Sequence, residues 1–101
     1  MLNSSIRYAG GRLMCDGVTL ADIAAQVGTP VYVYSTVRML SNLRRIQAAF
    51  PNAHIHYSAK ANANLSILRT LINAGAGIDA VSAGEIHRGL LAGVNPNDVV
   101  F

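Results

Sequence analysis

The stretch AHIHYSAKANANLSILRTLINAGAGIDAVS, residues 53–82, decides the fold class. Its opening run, residues 53–59, alternates apolar and polar side chains and predicts a strand. Asn64 is placed to cap a helix that ends at Gly75, and residues 77–82 predict a second strand. Because strand, helix and strand follow one another at this spacing, the two strands are expected to lie parallel in a βαβ unit.

The same alternation extends to both sides of this stretch. The run VYVYS, residues 31–35, predicts a strand, and residues 36–50 predict a helix capped by Ser35 or Thr36 and stopped by Pro51. A further helix is predicted from Ser82 to Gly93, before a strand that begins in residues 98–101. The apolar faces of these three later helices are predicted to be formed by Val37, Leu40, Leu43 and Ile46, by Leu65, Leu68, Leu71 and Ile72, and by Ile86, Leu90 and Leu91.

This alternation fits two α/β architectures, a doubly wound open sheet and a (β/α)8 barrel. A barrel needs ~250 residues, so this chain of 101 residues could hold only its opening strand–helix units. Residues 1–27 look different from the rest. They carry one glycine pair and one short predicted helix, capped by Thr19 or Asp22 and ended by Gly28.

The overall composition excludes several classes of protein. The chain is 51% hydrophobic and 13% charged, against ~25% charged residues in an average domain, so we expect it to be part of something larger. Its net charge of +3 comes from scattered arginines, which argues against nucleic-acid binding. The lone Cys15, the absence of a secretory signal and the absence of an apolar run near ~20 residues predict a cytoplasmic protein without a membrane span.

Three polar residues fall where parallel strands end, the edge at which α/β folds collect function. They are Lys60, Asp79 and Glu85, and Lys60 is the only lysine in the sequence. Strand alternation predicts that Lys60 shares one face with His56 and Ser58. A lysine amine at the carboxyl edge of a parallel sheet can form a Schiff base with an aldehyde, and pyridoxal phosphate is the obvious partner.

Simpler explanations exist for each of these residues. A single lysine after a strand is most often a solvated loop residue, and Asp79 could serve a turn. Glu85 stands three residues after Ser82, so the run SAGE is also a capping box. His54 and His56 have no third ligand at metal spacing, so no metal site is predicted. The run GAG lacks the spacing of a dinucleotide fingerprint and precedes its strand.

Several motifs together resemble one known family. YSAKANANLSILRTL (57–71) resembles the lysine motif of the alanine-racemase-like pyridoxal phosphate barrels, in their decarboxylase branch. GAGIDAVSAGEIHRGLLAG (75–93) resembles the second motif of that branch, and GTPVYVYS (28–35) resembles the strand that enters the barrel. The opening GGRLMCDGVTLADIAAQVGTP (10–30) is closer to the enzymes that act on diaminopimelate than to those that act on ornithine or arginine.

The resemblance implies a fold, an activity and a site. It implies that residues 28–101 are the first part of a (β/α)8 barrel that binds pyridoxal 5'-phosphate, and that residues 1–27 belong with a separate β-rich domain. Lys60 would hold the cofactor, with Asp79 and Glu85 lining its pocket. The reaction would be decarboxylation of meso-2,6-diaminopimelate to L-lysine, the last step of lysine biosynthesis, in a full-length protein that forms a homodimer.

Other functions stay open at this point. A related decarboxylase of the ornithine or arginine type is one alternative, and a racemase of the same superfamily is disfavoured by the segment before Pro30. A non-catalytic fragment that self-associates through exposed apolar faces is another. The family's phosphate loop, ring-stacking histidine and substrate arginines come from later strands. We therefore expect the 101 residues alone to be inactive.

Overall fold

Two separate three-stranded sheets organise residues 4–101, the part of the chain that the computed structural model describes. The backbone divides into two compact units, Met1–Arg38 and Met39–Phe101. One sheet lies in each unit. None of the helices within the described residues is long and apolar enough to cross a membrane.

The first unit contains an antiparallel meander that the sequence interpretation missed. Its strands are β1 (Ile6–Ala9), β2 (Arg12–Cys15) and β3 (Val18–Thr19). Two-residue turns join them, and both turns need positive φ: Gly10 and Gly11 have φ of 59° and 77°, and Asp16 and Gly17 have φ of 51° and 84°. Glycine and aspartate tolerate this conformation, and such turns match the twist of a hairpin.

Helix α1 (Leu20–Val27) follows β3 directly, as predicted. Of the two predicted caps, Thr19 takes the role, because its hydroxyl accepts a hydrogen bond from the Asp22 amide at 3.2 Å. Gly28 ends the helix with φ of 84°, which also confirms the predicted stop.

The strand predicted over residues 31–35 is wrong, because the structure has no strand there. β-branched and aromatic side chains favour an extended backbone, but a strand also requires a hydrogen-bonded neighbour. None of the described strands pairs with this segment. Its exposure agrees with that, since Tyr32 is 88% exposed and Tyr34 is 54% exposed.

Helix α2 (Thr36–Ala49) confirms the second predicted helix. Ser35 caps it, because its hydroxyl oxygen accepts from the Arg38 amide at 3.0 Å. The same hydroxyl donates to Asp16 Oδ1 at 2.7 Å, and Asp16 Oδ2 accepts from the Val37 amide at 3.2 Å. The β2–β3 turn therefore holds the beginning of α2.

The second unit contains the parallel sheet that residues 53–82 predict. Strands β4 (His56–Ser58), β5 (Gly77–Asp79) and β6 (Val99–Val100) lie side by side in chain order, and both pairings are parallel. Each strand is shorter than predicted. Helices α3 (Leu65–Asn73) and α4 (Ala83–Leu91) connect them, which makes two successive βαβ units.

The core of this unit lies between the sheet and its helices. Leu68 and Ile78 are fully buried at its centre, with Ala59, Ala80, Ala92 and Val94 around them. A second cluster contains Leu43, Ile67, Leu71 and Ala76. Helix α3 thus buries the predicted Leu68 and Leu71, together with Ile67.

The predicted apolar face of α4 is partly wrong. Leu90 and Leu91 are 45% and 56% exposed, whereas Gly89 is buried. A Cβ at Gly89 would lie 3.4 Å from Val94 Cγ1 and 3.6 Å from Ile78 Cγ1. The helix therefore packs closely through its smallest residue, which a search for large apolar side chains does not find.

Candidate active site

The three parallel strands end at one edge of the sheet. Ser58 pairs with Asp79, and Asp79 pairs with Val100, so these residues form one row across β4, β5 and β6. The Ala80 amide then donates to the Val100 carbonyl at 2.8 Å, which extends the contact between the two strands one residue beyond β5. This is the carboxyl edge at which the sequence predicted function.

Lys60 lies just beyond this row, in a 3-10 turn formed by Ala59–Ala61. Ala59 is fully buried in the core and anchors the turn, whereas Lys60 is exposed. The prediction that Lys60 continues the face of His56 and Ser58 is wrong. Alternation requires an extended backbone, and β4 ends at Ser58, opposite the last residue of β5.

Two side chains hold the backbone that follows Lys60. The Tyr57 hydroxyl donates to the Asn62 carbonyl at 2.9 Å, and Arg88 Nε donates to the Ala63 carbonyl at 2.7 Å. The sequence interpretation missed both roles. Arg88 contacts a backbone group 25 positions away, and no sequence pattern encodes such a contact.

Asp79 is the last residue of β5 and is half-buried, as its predicted position at the end of the strand implies. It stands directly opposite Ser58 on the neighbouring strand. Register partners on adjacent strands project from the same face, and the strands themselves lie ~4.8 Å apart. Ser58 and Asp79 therefore give this end of the sheet a polar face.

Glu85 lies in the first turn of α4 and takes part in the predicted capping arrangement. The Ser82 hydroxyl accepts from the Glu85 amide and donates to Glu85 Oε2, both at 3.1 Å. Oε2 also accepts from the Val81 amide at 3.1 Å, where a standard capping box would use the Ser82 amide. Capping explains only one of the two carboxylate oxygens.

The other oxygen, Glu85 Oε1, is buried and has no hydrogen-bond partner within residues 4–101. A buried carboxylate oxygen without a donor is unfavourable, and such atoms are rare in folded proteins. Glu85 therefore keeps an acceptor that could bind a group from outside the described chain.

The structure brings the elements that carry these residues together. Helix α4, which contains Glu85, packs against the turn that contains Lys60, and β5 pairs with the strand that leads into that turn. The three side chains do not bond to one another: within the described chain, no hydrogen bond or ion pair joins Lys60, Asp79 and Glu85. Lys60 also has no other such partner there. Within residues 4–101, the arrangement therefore has an exposed amine on a turn that α4 contacts, and a Glu85 oxygen without a donor.

Comparison with known proteins assigns the chain to a family. The family model described as the pyridoxal binding domain of pyridoxal-dependent decarboxylases matches residues 37–101. The chain belongs to this family. The matched region contains Lys60, Asp79 and Glu85, and it covers the whole of the second unit.

Individual relatives cover more of the chain. It is 39% identical over 95 residues to a diaminopimelate decarboxylase of Methanothermobacter thermautotrophicus, an alignment that covers 90% of this chain and 22% of the relative. It superimposes on the crystal structure of AQ1208 from Aquifex aeolicus with a TM-score of 0.91 and 38% identity, over 96% of this chain and 24% of that one.

A third similar protein has been solved with a small molecule. This is a diaminopimelate decarboxylase of M. jannaschii in complex with L-lysine, with a TM-score of 0.79 and 34% identity over 98% of this chain and 25% of that one. The chain thus spans about a quarter of the length of the proteins it matches.

Proposed function

We propose that this chain is part of a pyridoxal phosphate-dependent decarboxylase that converts meso-2,6-diaminopimelate to L-lysine. The observation that carries the proposal is the family match over residues 37–101, within which a single exposed lysine stands at the carboxyl edge of a parallel sheet. The names of the relatives support the substrate, and the L-lysine complex of one of them supports the product.

The described residues fit the cofactor chemically. Lys60 would hold pyridoxal phosphate through its amine, which has no competing partner in the described chain. Glu85 Oε1 is a buried acceptor that lacks a donor, and Asp79 adds a second carboxylate at the same edge. These features support a polar, aldehyde-binding pocket better than a solvated loop, where no buried oxygen would be left unpaired.

Each residue has a defined task in this proposal. When bound, pyridoxal phosphate withdraws the electron pair that is left by loss of the substrate carboxylate. Lys60 would hold the cofactor in position through its amine. Asp79 and Glu85 accept hydrogen bonds from the bound molecules, which orients them and stabilises positive charge beside the sheet.

The architecture belongs to the same proposal. We infer that β4, β5 and β6, with α3 and α4, are opening units of a (β/α)8 barrel that later strands complete. The two successive parallel βαβ units support this, since barrels repeat that unit eight times. A homodimer of the full-length protein, and assignment of residues 1–27 to a β-rich domain, stay predictions.

The test uses the full-length protein that carries this sequence. With pyridoxal phosphate present, we expect release of carbon dioxide and formation of L-lysine from meso-2,6-diaminopimelate, and much less turnover of ornithine or arginine. Lys60→Ala should lower turnover by about 10³-fold or more, because it removes the group that holds the cofactor. Its unfolding free energy should change by less than ~0.5 kcal/mol, because Lys60 is exposed.

Two outcomes would count against parts of this proposal. Faster turnover of ornithine or arginine would replace the substrate and keep the reaction type. Full activity in Lys60→Ala would end the role of Lys60. Arg69→Ala is a matched control, because Arg69 is an exposed cation on α3 whose side chain makes no hydrogen bond or ion pair within residues 4–101.

A further inference from the structure

We propose that Tyr57 and Arg88 are positioning residues that fix the backbone carrying Lys60. This inference rests on the proposed function of Lys60 as the residue that holds the cofactor. Its basis is a pair of hydrogen bonds to consecutive backbone carbonyls. Tyr57 donates to the Asn62 carbonyl at 2.9 Å, and Arg88 donates to the Ala63 carbonyl at 2.7 Å.

Within residues 4–101, few other hydrogen bonds hold the segment after Lys60. The 3-10 turn is three residues long, and the backbone then extends at Asn62, with φ of −164° and ψ of 114°. Asn62 Oδ1 accepts from the Asn64 amide at 3.0 Å, which is a local turn that does not reach the rest of the fold. The hydrogen bonds from Tyr57 to Asn62 and from Arg88 to Ala63, called braces below, therefore connect this segment to the sheet and to helix α4.

Tyr57 is well suited to hold a backbone group rigidly. It lies in the middle of β4, and its side chain packs against both apolar clusters of the second unit. A packed ring carries its hydroxyl to one place at little further cost in entropy. The Tyr57 hydrogen bond therefore fixes the Asn62 carbonyl relative to the apolar core.

Arg88 ties the lysine segment to the helix that carries Glu85. Arg88 and Glu85 are three positions apart in α4, so they stand on neighbouring turns of one helix. A guanidinium bonded to a neutral carbonyl keeps its charge and uses a strong donor. Holding Ala63 from α4 thus sets the distance between the Lys60 backbone and the unpaired oxygen of Glu85.

Loss of either brace should leave the lysine amine chemically intact but less well placed. An amine that samples more positions binds an aldehyde with the same chemistry and a higher entropic cost. We therefore expect weaker cofactor binding without a matching loss of fold stability.

The experiment compares four variants of the full-length protein. Tyr57→Phe removes one hydroxyl and keeps the ring, and Arg88→Met removes the donor and keeps much of the apolar stem. Tyr8→Phe and Arg69→Met are the matched controls, since the side chains of Tyr8 and Arg69 are exposed and make no hydrogen bond within the described chain. Circular dichroism and denaturant unfolding establish that each variant is folded.

Two readouts are measured for every folded variant. The first is the dissociation constant for pyridoxal phosphate, followed through the absorbance of the covalently held cofactor. The second is amide hydrogen exchange of residues 61–63 in the protein without cofactor. Loss of one brace should raise the dissociation constant roughly fivefold, and should speed exchange by a similar factor, whereas the controls stay at the wild-type values.

The outcomes separate this inference from the proposed function. If wild-type protein holds the cofactor at Lys60 and both brace variants match it in affinity and exchange, the positioning role is wrong and the proposed function stands. If wild-type protein does not hold the cofactor at Lys60, the proposed function fails and the positioning of a cofactor lysine fails with it. Because the two variants remove the braces independently, misfolding of one leaves the other as a complete test.

Discussion

Different interactions stabilise the interior of each of the two units of this chain. The second unit, Met39–Phe101, buries ten apolar side chains around a parallel sheet. In the described part of the first unit, Cys15 is the one apolar side chain buried to that extent. The antiparallel meander there depends on tight turns, and Asp16 in one of them accepts hydrogen bonds from the Ser35 hydroxyl and the Val37 amide. Core packing thus dominates one unit, and local geometry dominates the other.

The difference matches the distribution of the candidate site. Lys60, Asp79 and Glu85 all lie in the unit with the packed core, and the family match begins at residue 37, close to its boundary. A site needs groups held by a rigid scaffold. Here that scaffold is the sheet and the helices α3 and α4.

The largest expected effect comes from opening the core of the second unit. Leu68→Ala removes a fully buried side chain and should lower the unfolding free energy by about 2–5 kcal/mol. The comparison variant is Leu13→Ala, in β2 of the first unit, where the side chain is only half-buried and the loss should be smaller. Denaturant unfolding of the full-length variants measures both. Equal losses would contradict the contrast between the units.

A smaller effect is expected where the sheet of the second unit is tightest. A Cβ at Gly77 would lie 2.6 Å from the Asp98 carbonyl oxygen and 2.7 Å from His56 Cδ2. Because a backbone atom must move, Gly77→Ala should cost about 1–3 kcal/mol of unfolding free energy. Gly84→Ala is the control in α4, where the nearest atom is Ser82 Oγ at 3.8 Å. That variant should be neutral or more stable by up to ~1 kcal/mol, because alanine favours a helix. A neutral Gly77→Ala would mean that the sheet adapts more easily than its packing indicates.

The smallest expected effect concerns the first unit and its cysteine. Burial, and secondarily the charge of Asp16, raise the pKa of the Cys15 thiol above its ordinary value. The folded state therefore favours the neutral thiol. This contribution to stability is fully present below the pKa of the unfolded thiol and is lost as pH rises through the folded pKa.

Alkylation tests the state of Cys15 directly, because the thiolate is the nucleophile. In native protein at neutral pH, Cys15 should react with iodoacetamide at least about tenfold more slowly than in denaturant. Rapid labelling of the native protein would show that β2 opens readily. It would then sharpen the contrast with the second unit.

The second unit could be predicted from sequence because its elements follow simple periodicities. Helices α2 and α3 and the parallel order of β4 and β5 followed from apolar spacing and from caps such as Asn64. Periodicity could not show whether residues 31–35 form a strand, because a strand also needs a neighbouring strand to hydrogen-bond with. The strands of the first unit were missed because they carry little periodicity. Their length is not the reason, since β1 and β2 have four residues each and β4 and β5 have three.

The positions of the candidate site residues were easier to predict than their surroundings. Lys60 is a single lysine in a recognisable motif, and Asp79 and Glu85 follow at strand and helix ends. Contacts between elements decide the features that surround these residues. They are the 3-10 turn that contains Lys60, the hydrogen bonds from Tyr57 and Arg88, and the unpaired oxygen of Glu85. Such contacts exist only once the unit has folded.

The most direct measurement traps the cofactor on the full-length protein. Pyridoxal phosphate is added, the protein is reduced with borohydride and digested, and the peptides are analysed by mass spectrometry. We expect a reduced pyridoxyl phosphate group on the peptide that contains Lys60, the only lysine of these 101 residues. Modification of a different lysine, or of none, would contradict the assignment of Lys60 as the residue that holds the cofactor.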